Sequence, residues 1–149
     1  MKTQVGYWMT KHPIKIDLNE DVKIAADIMK QETISHLLVF DSGWLFGILS
    51  NTDLELVDKI KKRFQGVERP PQITVGDLMS RSPVTISENA GMNEAIRIMK
   101  DKNFRSLPVI NENNVVVGII TQTDVMRFAL VASQCMDNHG SYSKIMSSA

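Results

Sequence analysis

GILSNTD at residues 47–53 and GIITQTD at residues 118–124 carry an identical glycine, an isoleucine, a threonine and an aspartate in one chain of 149 residues. In each block a short β-branched run precedes Ser/Thr-x-x-Asp, so each reads as the end of a strand turning into a helix. The same order continues upstream. Val5-Gly6 aligns with Val75-Gly76, Met9 with Met79, Pro13 with Pro83, Ile16 with Ile86 and Asn19 with Asn89, all at one offset. Ala25 then meets Ala95, Met29 meets Met99, Leu37 meets Leu107 and Val39 meets Val109, before one inserted residue shifts the register. The chain is a tandem duplication.

Within each copy the periodicities predict strand, helix, strand, strand, helix, an α/β (α+β) arrangement. The first helix of each copy buries a stripe: Val22, Ala25, Ala26 and Met29 in copy one, Met92, Ala95, Ile96 and Met99 in copy two. Asp17 and Ser87 stand where its N-cap is expected, with Glu20 completing a capping-box-like start in copy one. Asp41-Ser42-Gly43 and the segment 111–114 predict turns between the two strands that follow. KIKKRFQGVERPPQ, at 59–72, mixes charge, glycine and a Pro-Pro pair, which stops regular structure. The expected organisation is motif one over 1–60, a linker over 61–72, motif two over 73–133 and a polar C-terminal tail over 134–149.

Seventeen basic and seventeen acidic side chains balance, so no overall charge favours a nucleic-acid backbone or an anionic membrane. The basic run Lys59, Lys61, Lys62 and Arg63 is flanked by Glu55, Asp58 and Glu68 and reads as solvated linker. Cys135 has no disulfide partner in the chain. There is neither a signal-like apolar run nor a stretch of about eighteen apolar residues, so a soluble, cytoplasmic protein is expected. The sequence has no HExxH, Gly-x-Ser-x-Gly or Walker loop, and His12, His36 and His139 are widely spaced. The expectation is no metal, no catalytic residues and no enzyme. Trp8 and Trp44 sit in apolar contexts, GYWM and GWLF, that read as core or dimer surface, and the methionines read as packing.

Two copies of a β-α-β-β-α unit opening with WMTKHPIKI and LMSRSPVTI, with RSLPVI in copy two and GILSNTD and GIITQTD at the ends, resemble a tandem cystathionine-β-synthase (CBS) domain pair. The resemblance covers nearly the whole chain. It implies two CBS motifs packed through their sheets about a pseudo-two-fold axis, with clefts between them that bind an adenine nucleotide, and it implies a homodimer. Copy one departs from the pattern at HLLVF, where Leu38 stands in the position of Pro108.

A nucleotide needs an acceptor for its ribose hydroxyls, donors for its phosphates and an apolar slot for its base. Asp53 and Asp124 are the ribose candidates, since a carboxylate accepts from both vicinal hydroxyls. Ser50, Thr52, Thr121 and Thr123 lie at helix N-termini, where amide groups and the dipole favour phosphate. Ser50-x-x-Asp53 and Thr121-x-x-Asp124 equally fit a helix cap worth about 1 kcal/mol. The joint recurrence of glycine, second hydroxyl and aspartate, in a frame resembling a nucleotide-binding family, favours binding. By resemblance, His12 and Ser82 before the first-strand prolines touch the ligand. Ile34 and Phe104 contact the base, while Ser35, His36, Arg105 and Ser106 face phosphate, with Arg105 able to pair two phosphate oxygens. The function implied is a regulatory module that binds AMP, ADP, ATP or a related adenosyl ligand and signals to a separate target protein, with no other cofactor. The competing reading is a ligand-independent dimerisation or docking module.

Overall fold

The computed structural model describes residues 1–138. The chain runs through α1 (Val5–Trp8), β1 (Thr10–Lys11), β2 (Lys15–Asp17), α2 (Val22–Glu32), β3 (His36–Asp41), β4 (Trp44–Ser50) and α3 (Asn51–Arg63). The second copy repeats the order as α4 (Val75–Leu78), β5 (Ser80–Arg81), β6 (Ile86–Ser87), α5 (Met92–Lys102), β7 (Ser106–Ile110), β8 (Val116–Thr121) and α6 (Gln122–Asn138). Each copy therefore opens with a four-residue helix and a two-residue strand that periodicity does not predict, because segments this short complete no hydrophobic period.

The compact units do not coincide with the repeats. Pro13–Val84 forms one, and Met1–His12 joins the chain from Thr85 to form the other. Each unit thus takes its opening helix and strand from the other copy. In the first, the sheet order is β2-β3-β4-β5, with β2 parallel to β3 and the other pairs antiparallel. In the second the order is β1-β8-β7-β6, with the same pairing sense reversed in sequence. Both central hairpins carry a bulge at the same place, between Val39 and Phe40 and between Val109 and Ile110. Ser42 and Gly43, at φ 51° and 84°, close the β3–β4 hairpin as a two-residue turn whose twist suits the strands.

The predicted helix stripes supply the cores. Val22, Ala25 and Met29 of α2 and Met92, Ala95 and Met99 of α5 are buried, whereas Ala26 is exposed. In the Pro13–Val84 unit Ala25 and Met29 pack with Ile16, Leu37, Val39, Leu49, Val75 and Met79. The cap expectation is corrected. Asp21, at the true N-cap of α2, accepts from Lys23 N at 2.8 Å, while the N-cap of α5 is Gly91, which has no side chain to cap with. Asp17 and Ser87 instead accept from the amides of Asn19 and Asn89, two residues on, and hold the turn that precedes each helix. Leu38 uses an N–H that proline lacks, donating to Ile14 O at 3.2 Å. Helix α3 runs to Arg63, beyond the expected start of the linker, and α6 continues through Gln134 to Asn138, into the expected tail. His139 and the rest of that tail lie outside the described residues.

Candidate functional site

The glycines that open the two heptapeptides have a packing cause. A Cβ on Gly47 would lie 2.5 Å from Ser80 O and 2.7 Å from Met79 Sδ, and one on Gly118 would lie 2.8 Å from Thr10 O. Their hydrogens face the two-residue strands β5 and β1, so glycine here permits a close strand approach rather than ligand contact.

In the Pro13–Val84 unit, the end of β4 and the first turn of α3 form a tight corner. Ser50 is the N-cap: Asp53 N donates to Ser50 Oγ at 3.3 Å and Ser50 N donates to Asp53 Oδ2 at 2.8 Å, a reciprocal capping box. The start of β3 is fastened to this corner because Asn51 N donates to Ser35 O at 2.9 Å and His36 pairs with Ser50 across the sheet. Ile34, Ser35 and His36 are therefore brought beside Ser50, Thr52 and Asp53. Ser35 and Thr52 are exposed, while Ile34, His36, Ser50 and Asp53 are half-buried.

The other unit repeats the corner with different detail. Thr121 N and Thr121 Oγ1 both donate to Asp124 Oδ2, at 2.9 and 3.0 Å, and Gln122 N donates to Arg105 O at 3.0 Å. Ser106 pairs with Thr121, so Phe104, Arg105 and Ser106 lie beside Thr121, Thr123 and Asp124. Ser106 and Asp124 are buried, whereas Phe104, Arg105 and Thr123 are exposed. Arg127 Nη1 approaches Asp124 Oδ1 at 3.2 Å, and the Arg127 guanidinium stands 5.9 Å from the Trp8 ring centroid. Trp8 is itself fixed: its indole N–H donates to Lys2 O, and it meets Phe128 edge-to-face at 5.5 Å. Trp8 is thus core, while Trp44 is 75% exposed.

His12 and Ser82 are set apart from these corners within their units. Ser82 N donates to Phe46 O, near the far end of β4, so strand rise alone separates Ser82 from Ser50 by roughly 13 Å. His12 follows Lys11, which pairs with Gly118, short of Thr121 on β8. The two residues do share one unusual feature, left-handed backbone at φ 53° and 52°. For a non-glycine residue that conformation costs about 1 kcal/mol, and its duplication marks an inherited turn.

Chemically, each corner offers a carboxylate beside hydroxyls at the positive end of a helix, a setting suited to a polyol carrying an anion. Some of the expected donors are already used, since the Asn51, Asp53 and Gln122 amides bond within the protein. What sequence reasoning missed is Arg127. Its i, i+3 spacing from Asp124 on one helix face was the available signal. Among the described residues no group of three or more His, Cys, Asp or Glu could hold a metal ion, and no helix is long and apolar enough to cross a membrane.

The CBS domain model matches the chain twice, over residues 4–57 and 75–131. The CBS domain-containing protein CBSX1, chloroplastic, of Arabidopsis thaliana is 29% identical over 161 residues, covering 91% of this chain and 67% of the relative. The crystal structure of CBSX2 from the same plant in complex with AMP is 28% identical with a TM-score of 0.72, covering 89% of this chain and 99% of that one. The CBS domain pair of protein MJ0100, in complex with 5′-methylthioadenosine and S-adenosyl-L-methionine, is 28% identical with a TM-score of 0.73, covering 85% of this chain and 94% of that one. The mixed α/β fold with two four-stranded sheets is the one these CBS-pair structures have.

Proposed function

Since the chain belongs to the CBS domain family in tandem-pair form, we propose that it is a regulatory module that binds an adenine nucleotide or related adenosyl ligand and passes the bound state to a partner protein. The observation that carries this reading is the duplicated corner, where an acid and hydroxyls sit at a helix N-terminus against the start of the neighbouring strand. Its support from outside the chain is that two similar structures hold AMP, or 5′-methylthioadenosine and S-adenosyl-L-methionine. The ligand occupies one or both corners, with Asp53 or Asp124 on the ribose, Ser50, Thr52, Thr121, Thr123, Ser35, His36, Arg105 and Ser106 toward phosphate, and Ile34 or Phe104 against the base. His12 and Ser82 contribute through their turns.

The role is regulatory rather than catalytic, in a cytoplasmic homodimer, with no resident cofactor beyond the ligand. Exposed Met126, Leu130 and Met136 along α6 and Leu56 on α3 supply apolar surface for self-association. The lone Cys135 suits a reducing compartment. A ligand that prefers one arrangement tenfold shifts the equilibrium by about 1.4 kcal/mol, enough for signalling.

One observation favours the alternative, a ligand-independent docking module: both acids fold back onto the amides of their own N-cap residues. Isothermal titration with AMP, ADP, ATP, 5′-methylthioadenosine and S-adenosylmethionine separates the two. The sensor reading expects saturable binding that falls at least tenfold on replacing a ligating aspartate by alanine. Absence of binding for all five compounds leaves the docking reading standing.

A further inference from the structure

The two corners are copies in sequence but not in electrostatics, and the difference lies one helical turn beyond each acid. With the single-residue shift that aligns Asp53 with Asp124, Arg127 aligns with Leu56, and at the first offset Trp8 aligns with Leu78. Copy one therefore has no cation at this position and no indole to seat one.

Asp124 consequently has little left to offer. Oδ2 accepts two hydrogen bonds from Thr121, Oδ1 accepts one from Arg127, and the residue is 3% exposed. A carboxylate has about four lone-pair positions, so three are filled and solvent barely reaches the fourth. The guanidinium is held on its other side by the Trp8 ring, which the buried edge-to-face contact with Phe128 keeps in place. Asp53 is less committed. Its Oδ2 accepts from Ser50 N, the Ser50 hydroxyl faces the Asp53 amide rather than the carboxylate, Oδ1 takes no part in the cap, and the residue is half-buried.

We infer that Asp53 is the acid that receives the ribose hydroxyls, and that Arg127, seated on Trp8, is a positioning residue that withdraws Asp124 from ligand binding and assigns it to holding α6 on β8. The assignment rests on the adenosyl-ligand reading above and narrows it to one corner. A vicinal diol donates two hydrogen bonds at once, which a half-buried acid with a single cap bond on one oxygen accepts more readily than a buried one that also holds a guanidinium.

The test is calorimetric titration of the full chain with AMP. Expected are one site per chain, an affinity loss of at least about tenfold in Asp53→Ala, and an affinity within about twofold of the parent in Asp124→Ala, with folding checked by circular dichroism. Arg127→Leu, which copies Leu56 at a side chain 59% exposed, should add a second site, a gain that a purely structural arginine would not produce. Arg127→Lys, retaining a cation, should keep one. Two sites in the parent chain, loss of binding in Asp124→Ala but not in Asp53→Ala, or an unchanged single site in Arg127→Leu would each overturn the assignment while leaving the sensor reading intact. A parent chain that binds none of AMP, ADP, ATP, 5′-methylthioadenosine and S-adenosylmethionine would overturn both.

Discussion

Replacing Gly47 by alanine tests why a glycine opens both heptapeptides. The added methyl would sit 2.5 Å from the Ser80 carbonyl oxygen and 2.7 Å from Met79 Sδ. Met79 can turn its flexible side chain away; the carbonyl belongs to β5 and moves only if that strand moves. Forcing a methyl into a filled space costs about 2 kcal/mol. Displacing β5 weakens a ladder of only two pairs, Gly47 with Arg81 and Ile48 with Ser80, at about 1 kcal/mol for one hydrogen bond. The lower entropy of alanine in the unfolded chain returns about 0.7 kcal/mol. The net expectation is a loss of about 2 kcal/mol, read as a lower urea midpoint at unchanged slope and a melting temperature lower by roughly 7 °C. Gly118→Ala should behave alike, because Thr10 O occupies the matching place at 2.8 Å. A change below about 0.5 kcal/mol in both variants would refute the steric reasoning and return the glycines to a ligand role.

Two further substitutions use one copy to correct the other. Gly91→Asp installs on α5 the cap that Asp21 gives α2, at a position with no atom within 4 Å of the new Cβ, and should raise stability by about 0.5 kcal/mol in thermal unfolding; a decrease would show the caps are not interchangeable. Thr33, which ends α2, holds a β-branched side chain at φ 54°, so Thr33→Gly should stabilise by about 1 kcal/mol in denaturant unfolding. Asn103, at φ 56° in the matching place, tolerates that conformation better, and Asn103→Gly should gain only a few tenths of a kcal/mol; equal gains would sink the explanation.

Much of the candidate site was legible because its parts are local. Ser50 and Asp53, or Thr121 and Asp124, are three residues apart at a strand-to-helix turn, and such spacing declares both a cap and an acid at a helix start. The approach of Ser35 and His36 to that corner follows from hairpin register, which the Ser42-Gly43 turn sets. The placement of His12 and Ser82 was not legible. Resemblance assigns them to the ligand, whereas their place in the fold is set by β1 and β5 pairing with β8 and β4 short of the corner ends, and no local pattern encodes where a two-residue strand will dock.

Duplication, the helix stripes and the Ser/Thr-x-x-Asp corners were determined by the chain alone, since each depends on residues within a few turns of one another and on a period that burial imposes. The tertiary structure decided two other matters. One is the exchange of opening segments, so that β1, with α1, joins the unit of copy two and completes its sheet, while β5, with α4, does the same for copy one. The other is the difference in surroundings of the two acids, since the Arg127 that pairs with Asp124 lies over the ring of Trp8, more than a hundred positions away in sequence. Short strands carry no hydrophobic period of their own, and the i, i+3 spacing of Asp124 and Arg127 does not reveal the distant indole beside them, so the docking of β1 and β5 and the seat of Arg127 depended on contacts that no local window contains.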